Sequence, residues 1–202
     1  MGISNVKSTK VMILLIDCGY SAIDSLKELI DQYIDVHRIS IYDVDLAEIK
    51  ELSPAGIVIS SAQLSVHEID TISYQDQIKK LLELELPILG IGIGHHLIGL
   101  CFGAQTAYEP YKNESIEIGI LGDDPLFDKL PIDLELIEDH AGTISIPPGF
   151  ELLASSDVSI NEAMKKKDNP IYGVQFIPEL SGNYGAIIMD NFVNISIQKN
   201  AH

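Results

Sequence analysis

Apolar residues fall along the chain in short runs separated by polar turns, and the rhythm changes about half-way. Residues 11–16 (VMILLI) form a continuous apolar run too short for a buried helix. Such a run predicts a strand covered on both faces, as in parallel sheets. It ends in Asp17-Cys18-Gly19-Tyr20, a turn. Ser21 then offers an N-cap and Asp24 an acidic first turn for a helix whose apolar face carries Ile23, Leu26, Leu29, Ile30 and Ile34. A second strand is expected near 36–41, a short helix over Leu46–Leu52 and a third strand at 56–60 (GIVIS). After a polar loop comes a helix that turns Ile72, Ile78, Leu81 and Leu82 inward. Residues 86–91 (LPILGI) read as a fourth buried strand, which enters a glycine-rich turn and an apolar helix through Leu97, Ile98, Leu100 and Phe102. Strand and helix alternating in this way predict an α/β fold, with a mainly parallel central sheet and helices on both faces.

The second half follows another pattern. Residues 115–156 hold short strands separated by Gly, Pro and Asp, without a long helical period. Ile116-Glu117-Ile118 and Leu134-Glu135-Leu136-Ile137 carry the alternation or apolar run expected of a small antiparallel strand set. A last buried strand is expected at 171–176 (IYGVQF) and a closing helix at 184–197. No repeat, low-complexity segment or linker interrupts the 202 residues, so one domain is expected over 1–202, with 1–10 as a loose N-terminal extension.

Composition narrows the function. Hydrophobic residues make up 46% and charged residues 21%, which suits a packed globular chain. No apolar run approaches the ~18 residues of a membrane span, and the N-terminus lacks a secretory leader. Thirteen basic residues against thirty acidic ones give a net charge of -17, which repels nucleic acid and anionic membranes. Cys18 and Cys101 make no metal or disulfide framework, and a reducing cytoplasm suits them. No cofactor motif stands out, and no metal is expected.

In open α/β sheets ligands sit beyond the carboxyl ends of the strands, here loops 17–20, 60–65, 90–96 and 177–182. The third loop runs Gly90-Ile91-Gly92-Ile93-Gly94-His95-His96. A strand passing into a helix through a tight, glycine-flanked turn has the form of a nucleophile elbow. The apex residue is held in a strained backbone, over a helix N-terminus whose dipole and free N–H groups favour an anion. Gly92 at that apex is expected in a backbone region hostile to side chains. Gly90-x-Gly92-x-Gly94 matches neither a dinucleotide fingerprint nor a phosphate loop.

Taken together these segments resemble the class I, or triad, glutamine amidotransferases. That family usually reads Gly-Ile-Cys-x-Gly-His-Gln at the elbow, after Pro-Ile-Leu and before a helix ending in Phe-Gly-Gly. Here stand Pro87-Ile88-Leu89, then the 90–96 elbow, then Phe102-Gly103-Ala104. The other landmark, Gly-Val-Gln-Phe-His-Pro-Glu, stands as Gly173-Val174-Gln175-Phe176-Ile177-Pro178-Glu179. Pro125-Leu126-Phe127, His140, Pro148-Gly149-Phe150 and 153–157 (LASSD) keep the family's order and spacing. The resemblance implies a flavodoxin-like sheet and is strongest to the glutaminase subunits of two-subunit GMP synthetases.

It also implies losses. The family's cysteine aligns with Gly92 and its histidine with Ile177, so of the triad positions only the carboxylate remains, as Glu179. Where the family has Ser-Gly-Gly-Pro-Gly-Ser, this chain has Ser60-Ser61-Ala62-Gln63-Leu64-Ser65, and His96 replaces a glutamine that lines the substrate pocket. Ser61, Leu64, Gly90, Ile93, His95, His96 and His140 are the expected pocket residues. Without thiol or imidazole there is no thioester chemistry, so the resemblance implies an amidotransferase-like protein without glutaminase activity. Its partner is expected to be a synthetase subunit of the ATP pyrophosphatase type, or a second copy of the chain. The alternatives are a repurposed enzyme, or a sensor of a small anionic or glutamine-like ligand held at the emptied elbow. Cys18 is weighed as a substitute nucleophile against a residue packed in a turn, and packing is preferred. Cys101 is expected to be buried on its helix. His95 and His96 are adjacent and so point about 100° apart on a helix, a poor grip for one metal.

Overall fold

The structure, a computed structural model, describes residues 11–63, 67 and 71–199, so the expectations for 1–10 and for Leu64 lie outside the described residues. Its elements are β1 (Met12–Asp17), α1 (Ile23–Asp31), β2 (Asp35–Ser40), α2 (Leu46–Leu52), β3 (Gly56–Ile59), α3 (Thr71–Leu82), β4 (Ile88–Ile91) and α4 (Ile93–Cys101). There follow β5 (Thr106–Ala107), β6 (Lys112–Ile120), β7 (Asp133–His140), β8 (Thr143–Ile144), β9 (Phe150–Ser155), β10 (Ala163–Lys166), β11 (Ile171–Val174) and α5 (Gly182–Lys199).

Nine strands form one sheet in the order β2-β1-β3-β4-β11-β10-β9-β6-β7, while β5 and β8 make a separate two-stranded ribbon. Strands β2, β1, β3, β4 and β11 are parallel, and from β11 outward each pairing is antiparallel. The expected antiparallel set is present within this same sheet. It extends the parallel sheet edge to edge and runs on to Lys166 through β10, a strand the sequence pattern did not single out.

Period-two alternation divides the core. Ile13, Leu15, Val58, Leu89 and Ile91 face one side, where Leu26 and Ile30 of α1 and Ile188 and Phe192 of α5 cover them. Leu14, Ile16, Ile57, Ile59 and Ile88 face the other, beneath Ile49, Ile78, Leu81, Leu97 and Ile98 of α2, α3 and α4. Both sides of each central parallel strand are buried, which explains the unbroken apolar runs.

Local differences have local causes. The chain turns with Ile23 N–H donating to Tyr20 O at 3.3 Å, which places Ala22, whose methyl group cannot cap, at the N-cap of α1. Ser21 is thus one residue too early. Asp17 instead holds the turn before the helix, where its Oδ1 accepts from the N–H groups of Gly19 and Tyr20 at 2.8 and 3.3 Å. Ile72 is 72% exposed rather than inward, and Tyr74 takes its place in the core beside Ile78 and Leu81. Residues two positions apart on a helix point about 200° apart, so 72 and 74 cannot share a face. Val11 lies outside β1 and is exposed, and Phe102 lies just past α4, stacked on Phe150 with centroids 5.1 Å apart.

The 3-10 turn Pro178–Leu180 is locked to α5 by direct backbone contact. A Cβ on Gly185 would stand 1.9 Å from Pro178 O. Gly185→Ala is therefore expected to destabilise the protein by about 3 kcal/mol or more through overpacking, although alanine is the better helix former by about 1 kcal/mol. Gly122→Ala, where nothing lies within 4 Å, is the neutral control. Equal urea midpoints for the two variants would contradict this contact.

Candidate functional site

The carboxyl ends of β1, β3, β4 and β11 place four loops together. Between β4 and α4 the backbone reverses at Gly92, with φ 53° and ψ -111°. That region strains any residue with a side chain, so the expected elbow geometry is present. Gly92 N–H donates to Val174 O at 2.9 Å, and His96 N–H donates to Gly92 O at 3.1 Å. The elbow is thus tied to β11 on one side and to its own helix on the other.

Beside the apex, Ser61 Oγ accepts from Ile93 N–H, the first amide of α4, at 3.4 Å. Ser60 holds the same loop by accepting from Cys18 N–H at 3.0 Å and donating to Ser61 O at 2.8 Å. Ile177 is fully buried against the apex, and its N–H donates to Ile137 O at 2.8 Å. Ile93 and Gly90 are buried as well: Ile93 packs into the core beneath α4, and a Cβ on Gly90 would stand 2.5 Å from Gly94 O.

Glu179 follows in the Pro178–Leu180 turn. Both its carboxylate oxygens are buried without a well-formed hydrogen bond, as is the Tyr20 hydroxyl. Burial pushes the Glu179 carboxyl up to about 7, with Asp139 adding to the rise and the Tyr20 phenol opposing it. Tyr20 is raised too, first by burial and then by the Glu179 charge. Tyr111 OH donates to Asp139 Oδ1 at 2.6 Å, so two phenols and two carboxyl groups meet at this end of the site. Arg38, the single arginine of the chain, donates to Asp17 Oδ2 at 2.7 Å and Asp24 Oδ1 at 2.9 Å and braces the turn that carries Tyr20.

The three expected histidines cluster behind the elbow. His95 is fully buried, with neither ring nitrogen in a well-formed hydrogen bond among the described residues, and burial holds its pKa well below the ordinary value. His96 Nε2 lies 2.9 Å from Gln175 Oε1, and burial lowers it to about 4, so it is neutral near pH 7. The His96 and His140 rings meet edge-on at 6.2 Å. His140 is spanned by acceptors, Gly142 O at 3.0 Å and Glu138 Oε2 at 3.1 Å. Each imidazole is thus a packed core group, and among the described residues no three His, Cys, Asp or Glu side chains are placed to hold a metal.

Sequence reasoning missed Glu138 and Glu162, which are fully buried together beside His140. Ser156 Oγ donates to Glu162 Oε1 at 2.6 Å. Burial, and then the Glu138 charge, raise Glu162 well above the usual carboxylate range. Burial opposes Glu138 ionisation as well, but its bonds to His140 and Glu162 outweigh that and hold it low. The alternating pattern of β7 foretold that 134 and 136 face inward, and 138 follows from the same parity. Cys18 is buried and its thiol is pushed far up by burial, so the turn-packing role fits it. Cys101 is only half-buried; burial raises its thiol to about 11 and Sγ donates to Gln75 O at 3.7 Å.

The family model for glutamine amidotransferase class-I matches residues 14–195. The chain belongs to that family. A glutamine-hydrolyzing GMP synthase subunit from Pyrococcus furiosus is 34% identical over 192 residues, covering 91% of this chain and 98% of the relative. The protein of the same name from Thermococcus kodakarensis is 38% identical over 153 residues, covering 74% and 80%. Among solved structures, one assigned as a GMP synthase subunit from Thermoplasma acidophilum superposes with a TM-score of 0.86 at 25% identity, covering 95% of this chain and 96% of that one. A glutamine amidotransferase from Thermotoga maritima, at 15% identity and a TM-score of 0.68, shares the fold.

Two raised carboxyls give this amidotransferase-like chain a defined pH response. The folded state keeps protons on Glu162 and Glu179 that the unfolded chain releases above about pH 4.5. Their contribution to stability is full below that pH and declines as pH rises. The Glu179 part is lost by about pH 7, and the Glu162 part goes on falling above it. Between pH 5 and 7 the buried neutral His95 and His96, which the unfolded chain protonates, oppose that decline, so urea midpoints are expected to fall clearly from about pH 7 to 8.5. Glu162→Gln flattens that upper interval, and Glu179→Gln makes the change from pH 5 to 7 more favourable. An unchanged slope in Glu162→Gln would place its proton elsewhere.

Proposed function

We propose that this chain is an amidotransferase-like protein without glutaminase activity, one domain in extent, that acts as a regulatory or structural partner of a synthetase. The observation that carries the reading is the elbow apex. Residue 92 is a glycine at φ 53° with Ile177 packed against it, so neither a thiol nor an imidazole stands there. Thioester formation needs a nucleophile and a base within hydrogen-bond reach of each other. The buried imidazoles offer no replacement: His96 is engaged by Gln175, and His140 by Glu138 and Gly142. The Cys18 thiol is held protonated by burial.

A synthetase partner is supported by the relatives, which are named as subunits of glutamine-hydrolyzing GMP synthases. This chain would keep the docking face of such a protein without delivering ammonia. A second reading, a small-ligand receptor, is favoured by a cavity of about 610 Å³ between the β5–β8 ribbon and residues 156–161. Its described walls include Ile144, Ile146, Val158 and Ile160 with Glu109 and Asp157, and no Lys, Arg or His is among them, which suits a neutral ligand better than an anionic one.

Purified protein is expected to release no ammonia from glutamine above the uncatalysed background, alone or with a synthetase of the ATP pyrophosphatase type. Gly92→Cys is expected to stay inactive, because no base faces it, and Gly92→Cys with Ile177→His to gain little. Removing one triad member costs several orders of magnitude, and the members act as a unit. Wild-type turnover that disappears in Cys18→Ser would show a substitute nucleophile and overturn the reading.

A further inference from the structure

A Cβ built on Gly92 would lie 2.5 Å from Ser61 Oγ, 3.0 Å from Ser61 Cβ and 3.4 Å from Ile177 Cδ1. The first distance is shorter than real Cβ contacts, and the second is at their lower limit. Ser61 has little freedom to move away. It is 1% exposed, its hydroxyl accepts from Ile93 N–H, and its carbonyl accepts from Ser60 Oγ. We infer that Ser61 is the plug of the elbow: its side chain fills the space a residue at 92 would need and occupies the first amide of α4, so this position decides whether the elbow can take a side chain.

The inference rests on the reading of Gly92 as the vacated nucleophile position, and it adds a second determinant to that reading. In the 60–65 loop, Ser61 stands where the family usually has glycine. The side chain absent at 92 is thus matched by one present at 61, and the two changes occupy one volume. A hydroxyl so near the apex invites the thought of a displaced nucleophile, but what crowds that point besides Ser61 is the Ile177 methyl group, which removes no proton. The role is steric, together with satisfaction of one helix-terminal N–H.

A mutant cycle on the full chain tests this. Wild type, Ser61→Gly, Gly92→Ala and the double variant are compared by melting temperature. Part of the Gly92→Ala loss comes from its positive φ and is not recoverable at 61. The rest is recoverable: the double variant is expected to melt well above the value given by adding the two single losses, with a smaller rescue from Ser61→Ala, which keeps the Cβ. Additive losses would overturn the proposal. Should Gly92→Ala fail to fold, Ser61→Ala alone still tests it. The Ile93 amide is expected to exchange at least tenfold faster with solvent deuterium than in wild type, while amides in β1 are unchanged. Unaltered Ile93 protection would overturn the plug. A third arm introduces the thiol, in a Cys18→Ser, Cys101→Ser background. Gly92→Cys is expected to react slowly with a maleimide, and Ser61→Gly with Gly92→Cys quickly; equal rates would count against the plug. Ammonia release by wild type would remove the silent-glutaminase reading and leave the cycle's outcome untouched, so the two failures are distinguishable.

Discussion

The head of α4 lies so close to the sheet that backbone meets backbone. A Cβ on Gly90 would stand 2.5 Å from Gly94 O, and one on Gly94 would stand 2.5 Å from Ile59 O. Strand β4, the turn and the helix can therefore follow one another only if these positions carry no side chain. That constraint sets the apex over the ends of β3 and β11 and brings the 60–63 loop and the 177–179 turn against it. Gly92 N–H on Val174 O completes the arrangement from the neighbouring strand. None of these contacts involves a reactive group. The geometry of an elbow is thus independent of the residue at its apex, and it persists around a glycine.

A second organising interaction ties the antiparallel half of the sheet to the parallel half. His96 comes from α4, Gln175 from the end of β11, His140 and Glu138 from β7, and Glu162 from the approach to β10. In a chain of net charge -17, burying two carboxyl groups side by side is costly unless one is neutral. Here Glu162 keeps its proton and receives the Ser156 hydroxyl, while Glu138 bears the charge and faces His140. The histidines that look like chemistry in the sequence hold this junction instead.

The parallel half was legible because strands buried on both faces leave unbroken apolar runs, as in 11–16 and 86–91, and Leu46–Leu52 was legible by its boundaries alone. The exposed side of Ile72 could also be read from spacing, because Ile72 and Leu81 are nine residues apart and so lie about 180° apart on one helix. Strand β10 was hidden because its residues, AMKK, alternate with no apolar period. Of the site, the apex and Ile177 could be placed from the two landmark motifs. The Tyr20–Glu179 neighbourhood and the Glu138–Glu162 pair could not, because each joins residues more than twenty positions apart, and one sequence carries no record of such meetings. Ser61 was visible as an expected pocket residue, but not as the group that fills the apex volume.

The two ends of the site have different physical characters, and this bears on what the protein can still do. At the apex, Ser61 and Ile177 close around Gly92 as core residues close around a backbone, and the helix amide there has its acceptor. Empty space beside a glycine would be a cavity, with a penalty that grows with its volume; here the volume is occupied. At the other end, Glu179 and Tyr20 remain buried with polar atoms unsatisfied, next to Asp139 and Tyr111. Buried polar atoms without partners are rare in native proteins and are tolerated where they serve something besides packing. The apex is therefore packed as core, whereas the carboxylate end is not. The hydroxyl of Ser61 and the Ile93 amide already satisfy each other, whereas the Glu179 carboxyl and the Tyr20 phenol lack well-formed partners among the described residues.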